Sequence, residues 1–246
     1  GYTLSLHDAL PIYQQRRIFG LKLPTGLNGY IEWDNTVPGL EVNTLGAAIG
    51  VAHEFGRIRD FGRESLVVGT FSVEDIKRDE ADSPETRSRS NILGSSVSRD
   101  TRDFVLNPSV GTYRVVAAQL AGGALGGDND FYTGEAGYQH YVGVRTSSVF
   151  AWRVRVGYAD SYGRSDEVPV ENRYFLGGAN SVRGYEDSGL GPRDASKNVA
   201  GGTFEMLLNL ELRYPLPLLV RWNFSGCVFL DSGNVWAQAS EVSSDD

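Results

Sequence analysis

The sequence predicts an all-β chain, an antiparallel transmembrane β-barrel with one connection far longer than the rest. Three observations carry that prediction. Apolar and polar residues alternate over long segments, short and long connections alternate along the chain, and aromatic residues gather at the ends of the apolar faces. A soluble antiparallel sheet with one wet face shows the same period, so alternation alone leaves a soluble sandwich or barrel open. Segment length separates the two readings. The segments run to about 9–14 residues, whereas a soluble strand averages about 5–6 and a tilted bilayer crossing needs about 9–11.

Residues 3–12, "TLSLHDALPI", resemble the translation of a common sequencing-library adapter. Residues 1–12 are therefore set aside as an artefact, and residues 13–246 are expected to form the partial barrel domain. Weak alternation occurs near 15–23, 27–35, 42–55, 63–76, 89–99, 112–121 and 130–142. "SSVFAWRVRVGY", residues 147–158, is clearer, with Phe150, Trp152, Val154, Val156 and Tyr158 opposite Ala151, Arg153 and Arg155. The clearest is "TFEMLLNLELRY", residues 203–214, which sets Phe204, Met206, Leu208, Leu210, Leu212 and Tyr214 against Glu205, Leu207, Asn209, Glu211 and Arg213. After a turn at "PLP", residues 215–217, the last strand places Val220, Trp222, Phe224, Val228 and Leu230 opposite Arg221, Asn223, Ser225, Cys227 and Asp231. The total is about ten strands in a meander. Short turns are expected near 24–26, 143–147 and 215–217, with longer loops at 77–88, 122–130 and about 160–202. The turn at about 99–111 is long on the short side.

Composition narrows the function. A net charge of −8 on 246 residues provides no basic stripe, which argues against nucleic acid as a partner. No apolar run reaches the roughly 18 residues of a membrane helix, which excludes a helical membrane protein but not a barrel. With Lys22, Lys77 and Lys197 the only lysines, positive charge is carried almost entirely by arginine, the better partner for fixed forked contacts with carboxylates. The single cysteine, Cys227, allows no internal disulfide and no cysteine-rich metal site.

The structureless loop at about 160–202 is of a length uncommon inside a compact domain, and loops of this length are either functional or disordered. It contains Tyr174, Phe175, Leu176, Val182 and Tyr185, which are costly to leave in water, and glycines 177, 178 and 184, which allow tight turns. One reading is a surface flap with a packed base. The other is a segment that re-enters the barrel, where Arg183 would meet Glu211 and Asp231, which share the non-lipid side of two neighbouring strands.

"RYFLGGANSVRGYEDSGLGPRD", "LNLELRYPLP" and "FLDSGNVW", in that order, resemble the end of the barrel domain of the BamA/TamA superfamily, the outer-membrane assembly factors also called the bacterial surface antigen family. The resemblance extends upstream through "SVSRDTRDFVLNPSVGTYRVV" and "DNDFYTGEAGYQHYV". It implies a barrel of sixteen strands preceded by periplasmic POTRA domains, of which this chain would hold roughly the fourth to the thirteenth strand. It also implies that the loop-tip motif, here Val182, Arg183, Gly184 and Tyr185, folds into the lumen. There the arginine would contact the acidic residue of a motif that reads Phe229, Leu230, Asp231, Ser232 and Gly233, and Glu211 on the preceding strand.

The expected function is insertion or translocation of β-rich outer-membrane proteins at the bacterial outer membrane. The implied partners are outer-membrane lipids, unfolded β-barrel clients, and periplasmic or lipoprotein assembly partners reached through POTRA domains. A two-partner secretion transporter shares the latch and stays open as an alternative; a passive pore and an outer-membrane hydrolase are more distant. No enzyme is expected. His7 falls in the adapter-like stretch, and His53 and His140 sit near strand ends on the lipid-facing parity. Glu205, Glu211 and Asp231 share a face with arginines that would keep them ionised. "GGALGGDND" lacks the glutamate and spacing of a calcium loop, and no cofactor is implied.

Overall fold

The computed structural model describes residues 13–15, 25–34, 40–55, 65–80, 85–145, 147–195, 197–216 and 224–243. Ten strands form one sheet: β1 (Tyr13–Gln15), β2 (Thr25–Asp34), β3 (Leu40–Phe55), β4 (Ser65–Glu80), β5 (Thr86–Asp100), β6 (Gly111–Ala121), β7 (Phe131–Arg145), β8 (Ser148–Ser161), β9 (Phe204–Pro215) and β10 (Ser225–Trp236). Each strand pairs antiparallel with its neighbour in the chain, in the order β1 to β10. This is the expected meander.

Several boundaries differ from the sequence reading. Residues 25 and 26, expected in a turn, open β2. Of the charged stretch expected as a loop at 77–88, residues 77–80 and 86–88 are strand, because β4 and β5 continue their ladder through Lys77↔Arg87 and Arg78↔Thr86, and residues 81–84 lie outside the described residues. Backbone pairing tolerates charged side chains wherever water reaches both faces, so charge was a poor marker of the strand end. The final strand lies later than expected, at Ser225–Trp236. The expected adapter segment, most of the weak strand at 15–23, the end of the turn at 215–217, and Val220, Arg221, Trp222 and Asn223 lie outside the described residues.

The two faces obey strict parity. On β9, Glu205 and Leu207 are buried, while Met206, Leu208 and Leu212 are exposed on the outer face. Outward aromatics occur in two bands. Tyr132 and Tyr158 stack near the long-loop end, with ring centroids 6.1 Å apart. Tyr138, His140 and Trp152 cluster toward the other end, with Tyr138 and Trp152 4.8 Å apart. From Tyr132 to His140 is about 27 Å of strand, or some 20 Å of depth at the usual tilt of about 35–45°. That spacing suits girdles at the two membrane interfaces.

The buried core sits inside, beneath the loop between β8 and β9. Val168 of the loop packs against Ile92, Ala121, Phe131 and Ala159, which project inward from β5, β6, β7 and β8. A second cluster joins Leu176 and Val182 of the loop to Leu207 of β9 and Val235 of β10. The loop is therefore the barrel's filling, and its apolar residues supply what a closed soluble core would have drawn from a second sheet.

Parity generates a test. Leu208→Arg in the full-length protein, placing a charge on the lipid face near mid-strand, is expected to destabilise the barrel by about 2–4 kcal/mol. Ser96→Arg, on β5 with the inward parity of Ile92, should cost far less transfer energy. Urea unfolding of both variants in lipid vesicles measures the difference.

Candidate functional site

The site is built where the loop tip meets β9 and β10. Antiparallel register sets Asn209 opposite Asp231 and Glu211 opposite Phe229, all on the inward parity. Into this patch comes Arg183. Its backbone N–H donates to Asp231 Oδ2 at 3.0 Å, Nε to the same oxygen at 2.7 Å, and Nη2 to Asp231 Oδ1 at 2.8 Å. Nη1 donates to Glu211 Oε2 at 2.9 Å. The guanidinium plane also lies over the Phe229 ring, 3.6 Å from its centroid. A fork satisfied along two edges and stacked on one face is a fixed geometry that an ammonium cannot reproduce.

Neighbouring groups complete the seat. Asn209 Nδ2 donates to Ser181 O at 2.7 Å and to Asp231 Oδ1 at 2.8 Å, so one amide ties the tip's backbone to the acidic partner. Arg153 of β8 donates to Asn180 O at 2.8 Å. The side chain of Asp231 is 3 % exposed and that of Arg183 25 %, so the pair is shielded yet open to water on one side. Hydrogen bonding to Asp231 raises the guanidinium's pKa still further, against the opposing cost of burial, so the charge is permanent. A polar cavity of about 290 Å³ adjoins the cluster, lined by Gln139, Tyr141, Arg153, Asn180 and Arg213.

The glycines have separate reasons. Gly184 has φ of +93°, in the left-handed region, which turns the chain sharply away after Arg183. Gly233 provides room. A Cβ there would stand 2.8 Å from Met206 O and 3.2 Å from Val182 Cγ2, so the buried Val182 packs directly on bare backbone. Tyr185, expected in the latch, is instead 55 % exposed and takes no part in the cluster. It follows Gly184, whose turn carries it off the wall. Among the sequence-derived residues the structure thus brings together Val182, Arg183, Glu211, Asp231 and Gly233. Asn209 and the stacking role of Phe229 were missed. Both had a visible signal, an amide and an aromatic ring on the parity that faces the lumen.

The cluster continues toward the opposite end of the barrel. Arg213 Nε donates to Glu211 Oε1 at 2.5 Å, and Arg213 Nη1 donates to Asn107 Oδ1 at 3.2 Å and Pro108 O at 3.4 Å. Those last two residues belong to the long turn between β5 and β6. Asp103 organises that turn by accepting from the hydroxyl of Ser109 and the N–H groups of Phe104, Ser109 and Val110. The Ser109 hydroxyl, then these backbone donors, pull its pKa down from 3.8 to about 2. At the long-loop end, Asp130 ties the loop at 122–130 to Arg164, whose guanidinium, with the N–H groups of Gly123 and Arg164, holds the carboxyl far below the usual range. Deeper on the wall, Glu205 pairs with Arg155 at 2.7 Å.

The model of the Omp85 superfamily domain matches residues 13–246. The outer membrane protein assembly factor BamA of Nitratidesulfovibrio vulgaris is 33% identical over 175 residues, covering 69% of this chain and 22% of that protein. A SAM50-like protein of Schizosaccharomyces pombe is 34% identical over 128 residues, covering 51% of this chain and 26% of its own length. The chain thus spans about a quarter or less of the curated relatives named here. Among solved structures, BamA from Haemophilus ducreyi lacking POTRA domains 1–3 superposes with a TM-score of 0.75 over 95% of this chain and 50% of that one, at 19% identity, which establishes a shared barrel fold.

Two outcomes are expected. Gly233→Ala should loosen the loop tip, because the added methyl displaces Val182, and cysteine labelling at the tip of the full-length protein should accelerate. For the turn, the Asp103 pKa is depressed in the folded state, so its hydrogen bonds are fully stabilising above about pH 4 and are lost as pH falls through about 2. Amide exchange at Phe104, Ser109 and Val110, corrected for intrinsic rate, should rise only in that window. In Asp103→Asn, which cannot carry the charge, it should already be elevated at neutral pH.

Proposed function

The chain belongs to the Omp85 superfamily, and from that premise we propose that it is the barrel portion of an assembly factor that inserts or translocates β-rich proteins in the bacterial outer membrane. The names of its relatives support this reading, since BamA is an outer membrane protein assembly factor. Its own geometry supports it further. The observation that carries the proposal is the Arg183 cluster, which holds a forty-residue class of loop inside the lumen by contacts to two adjacent strands.

The work is mechanical and not covalent. An acid–base pair needs carboxylates free to exchange protons, but Glu205, Glu211 and Asp231 are each engaged by an arginine. What this wall offers instead is a fixed inner surface. With the loop seated, β9 and β10 are cross-linked by Arg183 as well as by their ladder, so the wall resists shear while client strands assemble elsewhere on the barrel. Lipids contact the outer face, unfolded β-barrel proteins are the clients, and periplasmic or lipoprotein assembly partners are reached through POTRA domains.

Arg183→Ala removes the fork and leaves the shielded Asp231 charge without its countercharge, held only by Asn209 and the backbone N–H of residue 183, which should cost loop seating about 2–3 kcal/mol. In the full-length protein the variant barrel should still insert, seen as heat-modifiable migration, while folded client barrels in the outer membrane fall severalfold. Arg183→Lys should recover little, because it keeps the charge but loses the fork and the stacking on Phe229. Normal client levels with Arg183→Ala would remove the cluster from the mechanism.

A further inference from the structure

The tip cluster does not explain how the first arm of the loop is placed. Arg183 returns the chain to β9 and β10, the strands that immediately follow the loop, so this contact alone need not draw the loop across the lumen. Val168 rests on inward residues of β5 to β8. Immediately after it, a single turn of 3₁₀ helix at Val170–Asn172 presents Glu171. Its carboxylate meets Arg78 of β4 in a two-pronged contact, with Nε to Oε2 at 3.1 Å and Nη2 to Oε1 at 2.5 Å. The remaining Arg78 nitrogen, Nη1, donates to Ser88 Oγ of β5 at 2.8 Å. Side-chain exposure is 17 % for Arg78 and 11 % for Glu171.

We propose that Arg78 and Glu171 form a second anchor, independent of the tip, which pins the base of the loop to the far wall and makes the loop a strap across the lumen. β4 lies four strand positions from β8, about 19 Å along the sheet at the usual strand spacing. Glu171 therefore joins wall sectors that the ladder connects only through three intervening strands. The ordinary reading of an arginine–glutamate contact is a solvated pair of little consequence. Three features set this one apart: both partners are mostly shielded, the carboxylate takes one edge of the fork with two prongs, and the third nitrogen has its own acceptor. Parity points Arg78 inward along with Ile76, which is buried. These are positioning residues, acting on the loop's path.

The test reads loop protection in the full-length barrel, so its failure is distinct from failure of the assembly reading. In a Cys227→Ser background, a reporter Val168→Cys sits in the buried base of the loop, and maleimide labelling in outer-membrane vesicles reports its exposure. Arg78→Ala should raise labelling about tenfold, the population change expected when one charge-assisted forked contact is lost, while Arg183→Ala should change labelling at this position much less. The exchange Arg78→Glu with Glu171→Arg should restore protection, and Arg78→Lys should restore it only partly. Glu171→Gln, which leaves every strand untouched, repeats the measurement if Arg78→Ala barrels fail to fold. Unchanged labelling in Arg78→Ala or, failing that, in Glu171→Gln overturns the proposal. Equal exposure in Arg183→Ala and Arg78→Ala overturns it as well, because it would mean one cooperative latch.

Discussion

The architecture depends on one guanidinium being desolvated against Asp231. Removing two charges from water is costly, and their attraction within the barrel does little more than offset that cost. What the pairing secures is direction. Four donors from one residue converge on two carboxylates and a ring face, and few other placements of the loop satisfy all of them. The apolar contacts of Val182 and Leu176 add favourable burial but specify position loosely, since hydrophobic contact is not directional. Polar contacts set the address and apolar ones hold the segment there.

Much of this was legible because a β-strand has a period of two. Once Met206, Leu208 and Leu212 are assigned to lipid, Glu211 has to face inward, and the same logic on the next strand places Asp231 beside it. Strand number and order followed from alternation and turn residues. Strand ends did not. Lys77 and Arg78 looked like loop because charge usually marks one, yet a ladder that rises above the bilayer carries charged residues freely. Tyr185 shows a different limit: the sequence motif groups four residues, but the positive φ of Gly184 separates the last from the first three. Such a turn is a conformational fact with no compositional signature. Asn209 carries a faint signal, since an amide among carboxylates and arginines fits any watered face, yet it bridges the tip and Asp231.

Glycine has an unusual role here. In a soluble sheet a glycine in a strand weakens packing. On β8 and β10 it makes the recesses into which the loop fits: the Tyr174 ring occupies the space a Cβ at Gly157 would take, 2.6 Å away, and Val182 rests on Gly233. The inner wall is sculpted by omission, and the loop's larger residues are its complement. Tyr174 completes the fit by donating its hydroxyl to Gly134 O at 3.0 Å, so even the ring's polar end is used.

Glu211 divides its two oxygens between Arg183 above and Arg213 below, and Arg213 in turn grips the turn at Asn107 and Pro108. Each oxygen of this carboxylate is thus occupied by a different guanidinium. The turn beneath the barrel and the tip of the loop are thereby joined by an unbroken run of three charged side chains, Arg213, Glu211 and Arg183. Two regions that the chain places on different connections, one a turn and one a loop tip, therefore share a single polar scaffold.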